Sequence, residues 1–237
     1  MRHRIHLWTV AGRLLVFLLA ATSIACLLFD FYRLCPMRTF TLFIFLPALV
    51  ALAIVVVVDF AAGDRQLWRG VIIGLAAGLL AAVAYDLFRL PFVFARSWGI
   101  DLLVPQMDLF KVFSRFGAMI LGEPLEQPRY SAAAQFIGWA YHFSNGATFG
   151  VMFVAMVGEG SRRHWGWAVL MAVGLELAML FTPYTQVLGI RASPAFVLVT
   201  LTAHLIFGVA MGWAVIALSR HWQSQPDLVL EPTISIL

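Results

Sequence analysis

Two stretches in the second half of the chain decide the fold: His142-Phe-Ser-Asn-Gly-Ala-Thr-Phe-Gly150 and His204-Leu-Ile-Phe-Gly-Val-Ala-Met-Gly212. They share the pattern His-x-x-x-Gly-x-x-x-Gly, and each lies inside a long apolar run. A step of four residues returns to nearly the same face of an α-helix. The pattern therefore predicts two apolar helices, each with a histidine and two glycines on one face.

The composition is that of a membrane protein. Of the 237 residues, 62% are apolar and 12% are charged, and the mean hydropathy is +0.90. Soluble domains are about 45–50% apolar and about 25% charged. The +4 net charge is not clustered on one face, as nucleic-acid binding would require. We therefore predict one integral membrane domain whose main partner is the lipid bilayer and which does not bind nucleic acid.

The apolar runs approach the length of about 20 residues that crosses a bilayer as a helix. They predict an all-α, six-helix transmembrane bundle covering residues 1–237. The spans are expected at about 11–31, 40–59, 70–90, 132–157, 165–187 and 195–219.

Small residues recur every fourth position in the third span and in both His-Gly stretches. Such stripes allow membrane helices to approach closely, so we interpret these glycines as packing residues. They are Gly70, Gly74, Gly78, Gly146, Gly150, Gly208 and Gly212. Asp86 continues the stripe of the third span, and Arg89 follows it by three residues. We expect these two to form an interfacial ion pair, with contact to the following insert as the sharper alternative.

The segment 92–130 interrupts the apolar pattern with charged residues and prolines. Within it, Asp108, Lys111 and Arg115 share one helical face, whereas Phe110 and Phe113 lie nearer the other. This predicts an amphipathic helix that lies at the membrane interface or re-enters the bilayer. It could serve as an interfacial anchor or as a lid over a pore.

The two His-Gly stretches indicate an internal duplication. Aligning Gly78 with Gly174 leaves 64 residues before His142 and 30 before His204, a difference of 34 that is close to the length of the irregular insert. We predict two helical hairpins, spans 3–4 and spans 5–6, that run parallel in the membrane.

This repeated hairpin, closed in each copy by His-x-x-x-Gly, resembles uncharacterised bacterial inner-membrane proteins of the YagU-like kind. The resemblance covers roughly spans 3–6. It implies a helical fold in the bacterial inner membrane and supplies no reaction and no ligand.

The same helices carry polar residues at the middle of the membrane. At about 1.5 Å per residue, His142, Glu176 and His204 all lie roughly 15 Å deep in a core about 30 Å thick. Gln135 and Asn145 share the face of His142, and further along the chain Thr200 precedes His204 by one turn. Ionisable groups at this depth are expensive and usually face the protein interior. We therefore predict a His/Glu polar centre between spans 4, 5 and 6.

Three functions remain open for such a centre. The first is a small-solute or proton pathway, because histidine titrates near neutrality and glycines leave room beside each imidazole. In this reading Pro183 breaks the fifth span, as in discontinuous transporter helices. The second is a structural or accessory subunit of a membrane complex, in which polar groups specify helix packing.

The third function is a b-type haem held by His142 and His204, or a metal ion held by both and Glu176. No local ligand pair supports the cofactor, and no catalytic motif argues for an enzyme. Six spans are few for a transporter, which makes a homo-oligomer or a larger membrane complex plausible.

Basic residues in short connecting segments indicate the orientation. Placing both termini in the cytoplasm puts eight basic residues in the short inside segments and three in the short outside segments, Arg33, Arg38 and Arg191. The eight are Arg2, Arg4, Arg13, Arg65, Arg69, Arg162, Arg163 and Arg220. We therefore predict that both termini are cytoplasmic.

Overall fold

A computed structural model describes residues 6–158 and 164–224. Within these ranges the ordered elements are helices, and no strand occurs. They are α1 (Val10–Phe31), α2 (Met37–Phe40), a π-helical turn (Thr41–Phe45), α3 (Leu46–Ala62), α4 (Gln66–Val93), α5 (Lys111–Leu121), α6 (Ala132–Val157), α7 (Gly166–Leu180), α8 (Tyr184–Val187) and α9 (Pro194–Ser224). The orientation prediction depends partly on Arg2, Arg4, Arg162 and Arg163, which lie outside the described residues.

Four helical stretches are long and apolar enough to cross a membrane: Val10–Phe31, Met37–Ala62, Gln66–Val93 and Pro194–Ser224. They contain the predicted spans 11–31, 40–59, 70–90 and 195–219, so an all-helical fold with candidate membrane-spanning helices is confirmed. The count of six is not. Helix α6 has the predicted bounds, but its polar side chains keep it out of this apolar group.

The fifth predicted span, 165–187, is not one helix. Helix α7 has 15 residues and ends at Leu180. The chain then turns, and Pro183 caps the short α8. Proline has no N–H to continue a helical ladder, which explains why the chain breaks here.

Glycines bring the backbones of α4 and α6 into direct contact. A Cβ atom added at Gly78 would lie 2.0 Å from the Gly146 carbonyl oxygen, and one added at Gly150 would lie 2.0 Å from the Gly74 carbonyl oxygen. No side chain fits in that space. The small-residue stripe thus sits at this helix crossing, where close approach requires it.

Helices α7 and α9 make a second crossing of the same kind. A Cβ atom at Gly208 would lie 2.5 Å from the Cα atom of Val169, and one at Gly212 would lie 2.6 Å from the Trp165 carbonyl oxygen. Gly174, however, faces open space. The register that aligns Gly78 with Gly174 is therefore not reproduced by the contacts, since Val169 holds the position opposite Gly208. The remaining stripe residue, Gly70, contacts the ring of Trp8.

The insert 92–130 contains one long helix, α5, which packs tightly on α6. A Cβ atom at Gly117 would lie 1.7 Å from the Ala134 carbonyl oxygen, and one at Gly138 would lie 1.7 Å from the Phe113 carbonyl oxygen. Phe113 and Phe116 are buried, whereas Lys111 is exposed. The amphipathic helix thus forms, and its apolar face is covered by the bundle.

Candidate functional site

The helices enclose a cavity of about 400 Å³. Its walls come from α1, α4, α5, α6, α7 and α9 and from the loop after α8. Most of the surface is aromatic or aliphatic, and a few polar groups point inward. Small-molecule sites typically have this volume and this mixture of surfaces.

His142 pairs with Asp86 across the α4–α6 crossing. Its Nε2 donates to Asp86 Oδ2 at 2.8 Å. The imidazole also stacks on Phe113 of α5, with ring centroids 4.0 Å apart. Helix α6 therefore holds His142 between a carboxylate on one helix and an aromatic ring on another.

His204 pairs with Glu176 across the α7–α9 crossing. Its Nδ1 lies 3.5 Å from Glu176 Oε2 and donates to the carbonyl oxygen of Thr200 at 2.9 Å. The carbonyl fixes the hydrogen on Nδ1, so in the neutral imidazole Nε2 is the atom that can accept a proton. Both histidines thus face a carboxylate on the partner helix of their own hairpin.

Tyr85 lies between the two pairs. Its ring centroid is 5.9 Å from that of His142 and 5.0 Å from that of His204. Tyr85, His142, Glu176 and His204 all line the cavity. The three ionisable residues singled out from the sequence therefore lie around one cavity, with a tyrosine as their common neighbour.

Arg89 is a buried cation beside this group, with 3% of its surface exposed. Its Nη1 lies 3.6 Å from Asp86 Oδ1, and its Nη2 donates to the Leu109 carbonyl oxygen of the insert at 2.5 Å. Nε and Nη1 make no hydrogen bond and lie against the rings of Tyr85, Phe110 and Phe113.

The ion pair expected between Asp86 and Arg89 is present, with 3.6 Å between Arg89 Nη1 and Asp86 Oδ1. Both residues are buried, and Arg89 reaches the insert, as the sharper alternative expected. Asp86 is shared between Arg89 and His142, so the pair belongs to the site. The sequence feature that points to this burial is the small-residue stripe that Asp86 continues, because that face of α4 packs on α6.

The remaining sequence candidates divide. Asn145 and Thr200 are buried and line the cavity. Gln135 does not, since it lies on the exposed first turns of α6 and donates to the Tyr130 carbonyl oxygen at 3.1 Å. Seven residues separate it from His142, about 10 Å along the helix, so a shared face did not bring them together.

The mouth of the cavity carries charged side chains that depth in the membrane could not identify from the sequence. Lys111, Asp108 and Arg191 are exposed there. Arg115 donates through Nη1 to the Leu188 carbonyl oxygen and through Nε to the Tyr130 hydroxyl at 3.3 Å. It thereby joins the insert to the loop after α8.

A second, outer cavity of about 340 Å³ adjoins this mouth. Lys111 and Arg115 line both cavities, and Glu126, Gln127 and Tyr130 complete the outer one. A solute that entered from this side would therefore pass two basic side chains before it reached the histidines.

The arrangement does not favour the cofactor hypotheses. The Tyr85 ring lies beside both imidazoles, and Nε2 of His142 is bonded to Asp86, so the pair does not present two free nitrogens to one haem. Across residues 6–158 and 164–224, no three His, Cys, Asp or Glu side chains are grouped to hold a metal ion.

Comparison of the chain with protein families, curated proteins and solved structures found no match. The resemblance to YagU-like proteins therefore stays a prediction, and the function must be argued from the site.

Proposed function

We propose that this protein is a membrane pathway for a small solute, coupled to protons through its His–carboxylate pairs. The observation that carries the proposal is one cavity lined by both histidines and by Glu176, with Asp86 behind His142. Its volume suits a small molecule.

The protein residues around the cavity can exchange protons over a short distance. Imidazole is a common proton carrier, and the ring centroid of each imidazole here lies within 6 Å of that of Tyr85. Ionisable groups inside membrane proteins usually mark solute pathways or proton relays. In this role His204 and Glu176 hold the exchanging proton, while His142 and Asp86 anchor the opposite wall.

The mouth defines one end of the pathway. Lys111 begins α5, Arg191 lies in the loop after α8, and Arg115 ties α5 to the end of α8. Opening requires that Arg115 release the Leu188 carbonyl oxygen, so the insert acts as a lid. The route from the cavity to the other side of the membrane requires a second conformation.

The remaining assignments form part of the same proposal. We place the protein in the bacterial inner membrane with both termini cytoplasmic and with α6 and α7 as further spans between its two crossing hairpins. The hairpins α4–α6 and α7–α9 are the duplicated unit, each with one glycine crossing and one His–carboxylate pair. A homo-oligomer would supply the surface that a small bundle lacks.

The test is proton movement in liposomes that contain the purified protein and a pH-sensitive dye. We expect wild-type protein to move protons under an imposed potential, or with a solute gradient, above the rate of empty liposomes. Glu176→Gln removes the carboxylate but keeps its shape, so we expect the rate to fall to that of empty liposomes.

Asp101→Asn is the matched control because it also removes one carboxylate, at an exposed position of the insert. It should retain the wild-type rate. Full flux in Glu176→Gln would contradict the pathway.

One set of contacts favours a second candidate, a structural or accessory subunit. Ser23 and Thr148 hydroxyls lie 2.7 Å apart, and Tyr141 donates to the Ser23 carbonyl oxygen at 2.6 Å, so hydroxyl groups join α1 and α6 away from the His–carboxylate pairs. If the His–carboxylate pairs have only this role, Glu176→Gln will lower stability and no solute or proton flux will be found with wild-type protein.

A further inference from the structure

We infer that the solute is a small organic oxyanion with an apolar body. The inference rests on the proposed function in one respect only: it places the solute in the same cavity. It is carried by the charges on the cavity wall and by the state of Arg89.

The charges lining the cavity are unequal. Four basic side chains reach it, Arg89, Lys111, Arg115 and Arg191, against two acidic ones, Asp108 and Glu176. Glu176 is 3.5 Å from His204, and Asp108 lies at the exposed mouth. A solute that carries negative charge therefore enters a cavity whose walls are net positive.

Arg89 is the basic group that carries the excess of positive charge into the buried part of the cavity. Its guanidinium is buried among aromatic rings. Among the residues that the structure describes, its carboxylate neighbour is Asp86, whose Oδ1 is 3.6 Å away from Nη1, beyond ordinary hydrogen-bond length. Asp86 gives its short bond to His142 instead, at 2.8 Å. The cation is thus incompletely neutralised in a medium that screens charge poorly.

The oxyanion class follows from guanidinium chemistry. Arginine has five N–H donors in a planar fork and prefers carboxylate, phosphate or sulfonate oxygens. Asn145 and Thr200 add polar groups deeper in the cavity. A solute oxygen would replace the Leu109 carbonyl oxygen as the acceptor for Arg89 Nη2.

The apolar body follows from the rest of the wall. Phe113, Phe116, Phe149, Phe196 and Phe207 all line the cavity. A bare inorganic anion would leave these rings in contact with water. An organic anion with a ring or a short aliphatic chain would cover them, as apolar surfaces require.

The experiment that tests this inference compares three probes that share one ring but differ in charge. Benzenesulfonate is a permanent anion, benzenesulfonamide is its neutral analogue and benzyltrimethylammonium is a cation, and inorganic phosphate tests the need for a body. Binding is measured by tryptophan fluorescence on the full chain in phosphatidylcholine nanodiscs. We expect benzenesulfonate to bind on the order of tenfold more tightly than the sulfonamide and the other probes, since it alone joins a negatively charged acceptor to an apolar ring.

Two substitutions locate the site. Arg89→Gln should abolish the preference for the anion, and Lys111→Gln, at an exposed position that does not threaten the fold, should weaken benzenesulfonate binding several-fold at low salt. Arg96→Gln removes an exposed charge from the same insert but outside the cavity, and it should change nothing. Tightest binding of the cation, or equal binding of all three ring probes to wild-type protein, would overturn the inference.

Two further arms separate related explanations. Loss of benzenesulfonate binding in phosphatidylglycerol nanodiscs, with binding retained in phosphatidylcholine, would keep the oxyanion class but assign it to a lipid headgroup. Anion-selective binding without any proton flux would support the inference and refute the pathway, whereas flux without anion selectivity would do the reverse.

Discussion

The α4–α6 and α7–α9 hairpins each cross at glycines and each pair a histidine with a carboxylate, yet the two pairs differ in tightness. His142 bonds to Asp86 at 2.8 Å and stacks on Phe113 at 4.0 Å. His204 lies 3.5 Å from Glu176 and exposes 22% of its side chain, against 13% for His142.

In the proposed pathway, the two copies of this hairpin have different roles. In the first hairpin Asp86 also faces Arg89, so three charged or chargeable groups hold one another in place. In the second hairpin Glu176 has His204 as its ion-pair partner within the described residues and faces the cavity. In the proposed pathway the first pair therefore stabilises the bundle, and the second is the one that exchanges a proton.

Asp86→Asn should have the largest effect. It leaves the buried Arg89 without its carboxylate, and an uncompensated buried charge costs about 3–5 kcal/mol. We expect the free energy of unfolding, measured by denaturant titration in detergent, to fall by that amount. Asp101→Asn is the exposed control. A loss no larger than that of the control would mean that the first pair does not hold the bundle together.

Gly78→Ala should have the next largest effect, because the added methyl group meets the Gly146 carbonyl oxygen. Overpacking of this kind costs about 1–3 kcal/mol. Gly174→Ala is the matched control, since open space surrounds it and alanine favours the helix by up to about 1 kcal/mol. The same unfolding titration measures both. Equal destabilisation by the two substitutions would support the repeat register that aligns Gly78 with Gly174.

His142→Gln and His204→Gln should differ by a smaller amount. The first loses a 2.8 Å bond and a stacked ring, worth about 2 kcal/mol together, whereas the second loses about 1 kcal/mol or less. Unfolding titrations of the two variants beside wild-type protein measure this difference. A larger cost at His204 would reverse the roles assigned to the two pairs.

Much of the fold is readable from the sequence because apolar run length and four-residue spacing are local properties. They predicted six spans, of which four are candidate membrane spans in the structure, and also the bounds of α6, the stripe on α4 and the presence of an amphipathic helix in the insert. They failed at residues 181–187, where Pro183 and the short α8 replace the end of the expected fifth span.

The site was readable only in part. Residue depth identified His142, Glu176 and His204 because insertion cost depends on position along the helix. It could not identify Tyr85, because tyrosine is common in apolar runs. It could not identify Arg115 either, because Arg115 contacts Leu188, which is 73 residues further along the chain. Such contacts depend on how the helices are arranged. Gln135 shares a helical face with His142, but a shared face does not by itself place two residues in one site.

The most direct measurement is proton flux per folded protein for Glu176→Gln, with its unfolding free energy determined on the same preparation. We predict loss of flux with an unfolding free energy close to that of wild-type protein, in contrast to Asp86→Asn, which should lose stability first. Wild-type flux in folded Glu176→Gln protein would contradict the division of roles between the two His–carboxylate pairs.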